Sequence, residues 1–249
     1  LRCLVGSEMC IRDRVNEEVT TGENGQIEKK LLPGTYLVKE LPVDRYVTPS
    51  AQYVTIESGQ TSSVHFSNIL KKFRVHVVKS DADTGNAQGD ATLAGATYGI
   101  FRDGELIDTY TTGSDGSFMT RYYVCGDGWT IREIEPSTGY LLNETIYEVG
   151  ASPSQYEVEL NTTENQVTET VIYGNIQLVK HTDDLDPDVP EGENTDDPNA
   201  GIIERPEAGA VFEVYLKAAG SYDAAKESER DLLTTDADGF ASSKPLPYG

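Results

Sequence analysis

The feature that most constrains this chain is that it repeats itself at a distance of about one hundred residues. Three passages leave a turn and enter a strand in the same way: LLPGTYLVKE (31–40), VCGDGWTIRE (124–133) and KPLPYG (244–249). Each follows a Gly-centred turn, namely TTGENGQ (20–26), TTGSDGSF (111–118) and TTDADGF (234–240). LAGATYGIF (93–101) is echoed by EAGAVFEVY (207–215), and FRVHVVKSD (73–81) by IQLVKHTDD (176–184). Lys79 and Lys180 stand 101 residues apart, Glu40 and Glu133 93, Asn68 and Asn175 107. A period of this size, filled with alternating apolar residues and turn clusters, points to tandem β-sandwiches rather than a short-repeat solenoid. An all-β chain is therefore expected, with one complete and two truncated units. Residues 15–70 form the C-terminal part of the first, 71–176 the complete second and 177–249 the N-terminal part of the third. Asn175 runs almost directly into the strand carrying Lys180, and so short a connection favours a stiff rod.

Residues 1–14, LRCLVGSEMCIRDR, stand outside this pattern. They show no strand or helix period that continues downstream, and they resemble a translated sequencing adapter. They are read as a non-native segment. Cys3 and Cys10 lie in it, which leaves Cys125 alone and excludes a disulfide framework or a cysteine metal cluster.

Strand parity locates the chemistry, because side chains along a strand alternate between faces. In FRVHVVK, Lys79 shares its parity with Phe73, Val75 and Val77. In WTIRE, Glu133 falls with Trp129 and Ile131; in VIYGN, Asn175 falls with Val171 and Tyr173. The partial units repeat the pattern with Glu40 beside Tyr36 and Val38, Asn68 beside Val64 and Phe66, and Lys180 beside Ile176 and Leu178. Burying a lone charge costs several kcal/mol, so these groups are expected to meet. Two readings follow. One is a buried Lys–Glu ion pair with an Asn hydrogen-bonded beside it. The other is a covalent Lys–Asn isopeptide bond, for burial disfavours charged forms and allows a neutral amine beside a protonated acid. Lys79 would then attack the Asn175 carboxamide while Glu133 shuttles protons and ammonia leaves.

VVKSDADTG (77–85), LAGATYGIF, TTGSDGSF, GWTIREIEPSTGY (128–140) and YGN (173–175) occur in an order that resembles the B-type repeat of Gram-positive collagen adhesins. The same SpaA-like repeat builds the shafts of sortase-assembled pili. The resemblance runs over essentially everything after Arg14 and implies a prealbumin-like sandwich. It also implies an internal Lys–Asn or Lys–Asp bond assisted by an acidic residue. By position it makes Lys79 the nucleophile, Glu133 the proton shuttle and Asn175 the electrophile of the second unit. Glu40 and Asn68 take the last two roles in the first, and Lys180 is the nucleophile of the third, with its partners beyond Gly249. Trp129 in place of the usual Tyr keeps a large ring on the core parity. The implied protein is a stalk fragment of a cell-wall-anchored surface adhesin, extracellular and joined to peptidoglycan by sortase. Its host or matrix ligand would be bound by domains outside this fragment. A pilus shaft subunit, and a ligand-binding or accessory module of a secreted protein, are the alternatives. Bond formation happens once per molecule, so no enzyme and no cofactor are expected.

Other features point nowhere else. Acidic residues outnumber basic ones 42 to 20, for a net charge of −22, which repels nucleic acid and anionic membrane surfaces. No run of apolar residues is long enough to span a membrane. His65, His76 and His181 lack metal-ligand spacing, so no metal is expected. Asp184, Asp186 and Asp188 imitate the start of a calcium loop, but Val189 stands where Gly is required and Thr195 where the closing Glu belongs. The acidic stretch near 183–206 reads as a solvated insertion.

Overall fold

The computed structural model describes residues 2–7, 16–150, 153–185 and 201–249. Among these residues the chain is built of strands, and its helical turns are the short 3-10 turns Pro153–Gln155, Lys217–Ala219 and Glu227–Glu229. The first stretch supplies β1 (Arg2–Ser7), β2 (Asn16–Thr20), β3 (Gly34–Glu40), β4 (Tyr46–Val47), β5 (Gln52–Ile56) and β6 (Ile69–Leu70). The middle stretch supplies β7 (Lys72–Asp81), β8 (Thr97–Arg102), β9 (Glu105–Thr111), β10 (Ser117–Met119), β11 (Tyr123–Val124), β12 (Trp129–Glu135), β13 (Tyr147–Glu148) and β14 (Leu160–Glu169). The last supplies β15 (Tyr173–Gly174), β16 (Gln177–Val179), β17 (His181–Leu185), β18 (Ile202–Pro206), β19 (Val211–Tyr215), β20 (Arg230–Thr234), β21 (Phe240–Ser242) and β22 (Leu246–Pro247).

β7 organises the middle sandwich. Its odd positions Phe73, Val75, Val77, Lys79 and Asp81 are all buried, while the intervening residues are half-exposed. One edge pairs antiparallel with β10 and β11, and the other pairs parallel with β14. The second sheet runs β13-β12-β8-β9. Between the sheets, Phe73, Val75, Val77 and Val167 pack against Tyr98, Ile100, Trp129 and Ile131, the usual filling of two facing sheets. Phe73 meets Trp129 edge-on at 5.6 Å between ring centres.

Gly150 closes this core under Phe73. Its φ is +66°, and a Cβ there would lie 2.2 Å from the ring. Because Phe73 is fully buried, it cannot swing aside. Gly150→Ala is expected to cost about 3 kcal/mol, combining left-handed strain with overpacking. Urea unfolding of the full chain measures it.

The first stretch repeats the second sheet of the middle one. Its order β2-β1-β3-β5 matches β9-β8-β12-β13, so Arg2–Ser7 holds the place of β8. Pairing is through backbone groups, which any sequence without breakers can supply. In the last stretch the amide of Lys180 donates to Gly239 O at 2.7 Å, as that of Lys79 donates to Gly116 O at 2.9 Å. The two lysines therefore occupy equivalent places. Of the acidic insertion, the flanks His181–Leu185 and Ile202–Pro206 pair as antiparallel strands. Asp186, Asp188 and the rest of 186–200 lie outside the described residues.

Candidate functional site

Lys79 and Glu133 arrive from facing sheets, and their side chains are fully buried. Lys79 Nζ donates to Glu133 Oε1 at 3.2 Å and to Ser137 Oγ at 2.8 Å, and lies 4.9 Å from the centre of the Tyr140 ring. Glu133 Oε2 accepts the Asn143 amide at 2.9 Å. Ser137 and Tyr140 belong to the PSTGY turn that follows β12, and this turn caps the amine from the open end of the sandwich. Tyr140 is held in turn by Asp81, whose Oδ2 accepts its hydroxyl at 3.1 Å. Burial alone would raise Asp81, but the amides of Thr84 and Asp83 and the side chain of Gln88 outweigh it and hold the carboxyl below its ordinary value.

Asn175 does not join this pair. It is exposed, and its Nδ2 donates to Ser243 O at 2.7 Å in the last stretch of the chain. The expected core parity of VIYGN fails because β14 ends at Glu169. Val171 makes only an isolated bridge to Tyr140, and Tyr173 pairs with Pro247 of β22. Val171 is still buried, but residues 172–175 are all exposed, so the alternation stops before Asn175 is reached.

Glu169 is the group the sequence reading missed. It lies two residues beyond the Val167–Lys79 register pair, on the same buried face of β14, and is 1% exposed. Its Oε1 accepts the Tyr98 hydroxyl at 2.9 Å, whereas Oε2 is buried without a hydrogen-bond partner. Burial and then the Glu133 charge push this carboxyl above the ordinary glutamate value, against the opposing pull of the Lys79 charge and the Tyr98 hydroxyl. Tyr98 is pushed far up by burial and by the Glu169 and Glu133 charges, and so remains a proton donor. A signal for Glu169 was available. The 101-residue offset between Lys79 and Lys180 also carries Asn68 onto Glu169 and Phe66 onto Val167.

In the first stretch Glu40 and Asn68 do meet. Asn68 Nδ2 donates to Glu40 Oε1 at 2.8 Å, and Glu40 Oε2 and Asn68 Oδ1 are buried without partners. Residues 64–68 alternate in burial like a strand, with Val64, Phe66 and Asn68 turned inward. Lys180 is half-exposed and pairs with Glu207 Oε2 at 2.8 Å.

The remaining candidates carry ordinary roles. Cys125 is buried, and burial pushes its thiol up, away from a reactive thiolate. His76 pairs with Glu164 at 2.7 Å on the outer face of the β7–β14 ladder. His65 lies near Ser67 and His181 is exposed. No cluster able to hold a metal occurs among the described residues, and no helix there is long and apolar enough to cross a membrane.

Residues 74–166 match the family described as the SpaA prealbumin-like fold domain. No curated protein matches the chain. Among solved structures, the Bacillus anthracis TIE protein is 21% identical with a TM-score of 0.65, covering 100% of this chain and 40% of its own. This chain thus spans less than half the length of that relative. The C-terminal fragment of the pilus adhesin SpaC from Lactobacillus rhamnosus GG is 14% identical, with a TM-score of 0.43 over 69% of this chain and 88% of that one. GBS52, the minor pilin of Streptococcus agalactiae, is 14% identical, with a TM-score of 0.33 over 69% and 82%. Over residues 74–166, the middle sandwich, the chain is thus similar to the SpaA prealbumin-like fold domain, and its two facing sheets have that architecture.

Proposed function

We propose that this chain is a stalk fragment of a cell-wall-anchored Gram-positive surface adhesin, a load-bearing rod hardened by internal isopeptide bonds. In the full-length protein, sortase would join it to peptidoglycan, and other domains would carry the host or matrix ligand. The observation that carries the reading is the ladder between the first and last strands of the middle sandwich. β7 and β14 pair in parallel over ten residues, from Lys72–Leu160 to Asp81–Glu169. The chain enters at one end of this ladder and leaves at the other, so tension loads all its hydrogen bonds together in shear. A buried amine, paired with Glu133, lies under the same ladder, and Glu169 is buried on the β14 side of it. That is where a covalent link between first and last strand would relieve the load.

The test is to pull the 249-residue chain by its ends in a single-molecule experiment. The middle sandwich is expected to resist as a unit and yield only a short extension. Complete unravelling of the wild-type middle sandwich at low force would overturn the stalk reading.

A ligand-binding module is favoured by one feature, a groove of about 450 Å³ lined by Tyr173, Val214, Tyr215, Leu216 and Tyr248. The groove borders β19, whose counterpart in the middle sandwich is β8, and β8 pairs there with β12. The stalk reading stands first because the ten-residue parallel ladder carries it.

A further inference from the structure

We infer that Glu169 is the carbonyl donor of the middle sandwich, and that Lys79 and Glu169 condense to an amide with loss of water. The inference rests on the cross-linked stalk reading and changes its chemistry, since the leaving group is water and the partner lies on β14.

Three observations converge. Glu169 stands where Asn68 stands in the first stretch, by the same offset that relates the two lysines. Both face a glutamate on the facing sheet, Glu40 in the first stretch and Glu133 in the middle one. The Glu169 carboxyl is also prepared for attack. Tyr98 donates to Oε1 at 2.9 Å, which polarises the carbonyl and would stabilise the oxyanion that develops on it. Oε2 has no hydrogen-bond partner, so it is the oxygen left open to take up the proton with which it departs as water. Finally, the proton inventory is balanced. One ammonium, one carboxylate and one carboxylic acid is the neutral arrangement that burial of these three groups favours, and burial and then the Glu133 charge push the Glu169 carboxyl upward.

One proton moving from Lys79 to Glu133 along their 3.2 Å hydrogen bond yields a neutral amine between two carboxylic acids. The amine nitrogen attacks Glu169 Cδ, forming the C–N bond. Glu133 takes the proton released by nitrogen and gives one to Oε2, and the Cδ–Oε2 bond breaks. One amide N–H, one water and a protonated Glu133 result, with atoms and charge conserved. The fold supplies proximity, and exclusion of bulk water disfavours the reverse hydrolysis. Tyr140, whose ring covers the amine, and Ser137, which accepts its hydrogen bond, are positioning residues.

Intact-mass spectrometry of the full chain, followed by digestion and fragment sequencing, tests this. Wild type is expected to be lighter than its sequence by one water, with one branched peptide joining Lys79 to Glu169. Glu169→Gln should lose ammonia instead. The two proteins should then converge on products of identical mass and the same branched peptide, because the amide formed from either side chain is the same. Glu169→Ala should keep its full mass while showing a strand-type circular dichroism spectrum. Full mass in folded wild type would overturn the inference and leave an ion pair. Loss of ammonia with a peptide joining Lys79 to Asn175 would overturn it in favour of the other electrophile. A stalk that resists pulling despite either result would separate failure of this chemistry from failure of the mechanical reading.

Discussion

Lys79→Ala is expected to lower the melting temperature of the middle sandwich by more than about 20 °C. Removing one member of a buried pair strands the other, and that alone costs about 3–5 kcal/mol. The proposed amide, closing the roughly ninety residues between Lys79 and Glu169, would withdraw up to about 4–5 kcal/mol of unfolded-state entropy, by analogy with a disulfide of that span. For a domain of this size each kcal/mol moves the midpoint by about 4–8 °C. The deficit should also depend on pH, with a definite sign. Before condensation, burial and the Glu133 charge hold Glu169 above its ordinary value of 4.5, and the Lys79 charge opposes them. Without that cation, two buried carboxyls face each other, with Tyr98 and Tyr140 as the neighbouring hydroxyls and Asp81 beyond. A carboxyl raised in the folded state binds its proton more tightly there than in the unfolded chain. Its favourable contribution is complete below the unfolded value and disappears as pH climbs through the folded one. The Lys79→Ala protein should therefore lie nearer wild type at pH 4 than at pH 7. Thermal unfolding of both at the two pH values checks this; a deficit independent of pH would place the carboxyl charges elsewhere.

The chemistry of this core was half legible in the sequence, and the boundary between the halves has a physical cause. FRVHVVK and WTIRE are uninterrupted strands, and parity within an uninterrupted strand is geometry, so Lys79 and Glu133 could be placed on the buried face. VIYGN is not one strand. The ladder with β7 stops at Glu169, and Tyr173 already serves the next sheet. Carrying the alternation across that break put Asn175 inside and overlooked Glu169. Asn175 is exposed, whereas the ladder register buries Glu169. The offset between lysines was the safer guide, since it counts residues along matching strands and makes no assumption about side-chain type. Ser137 and Tyr140 were out of reach for a different reason. They lie on a turn, and turn residues reach a core group by three-dimensional closure that no period records. The place of Arg2–Ser7 in the first sheet was equally hidden, for it depends on which backbone edge is open and hardly at all on side chains.

Force should separate the linked from the unlinked sandwich more sharply than heat does. Tension enters the middle sandwich near Lys72 and leaves near Glu169, at opposite ends of the parallel ladder. With Lys79 joined to Glu169, the load path runs along β7 as far as Lys79, crosses the amide and exits. The ninety or so residues between are bypassed, and at about 3.4 Å per extended residue they withhold roughly 300 Å of contour length. Lys79→Ala and Glu169→Ala remove the bypass, so each should add that length as one step once the ladder shears. Glu169→Gln should behave like wild type, because the amide it would form is chemically the same as the one proposed. A merely looser core cannot imitate this pattern, since loosening lowers the force of the step and leaves its length unchanged. If wild type releases the full length of the sandwich, the load passes through hydrogen bonds alone and the covalent stalk is refuted, whatever the melting temperatures show.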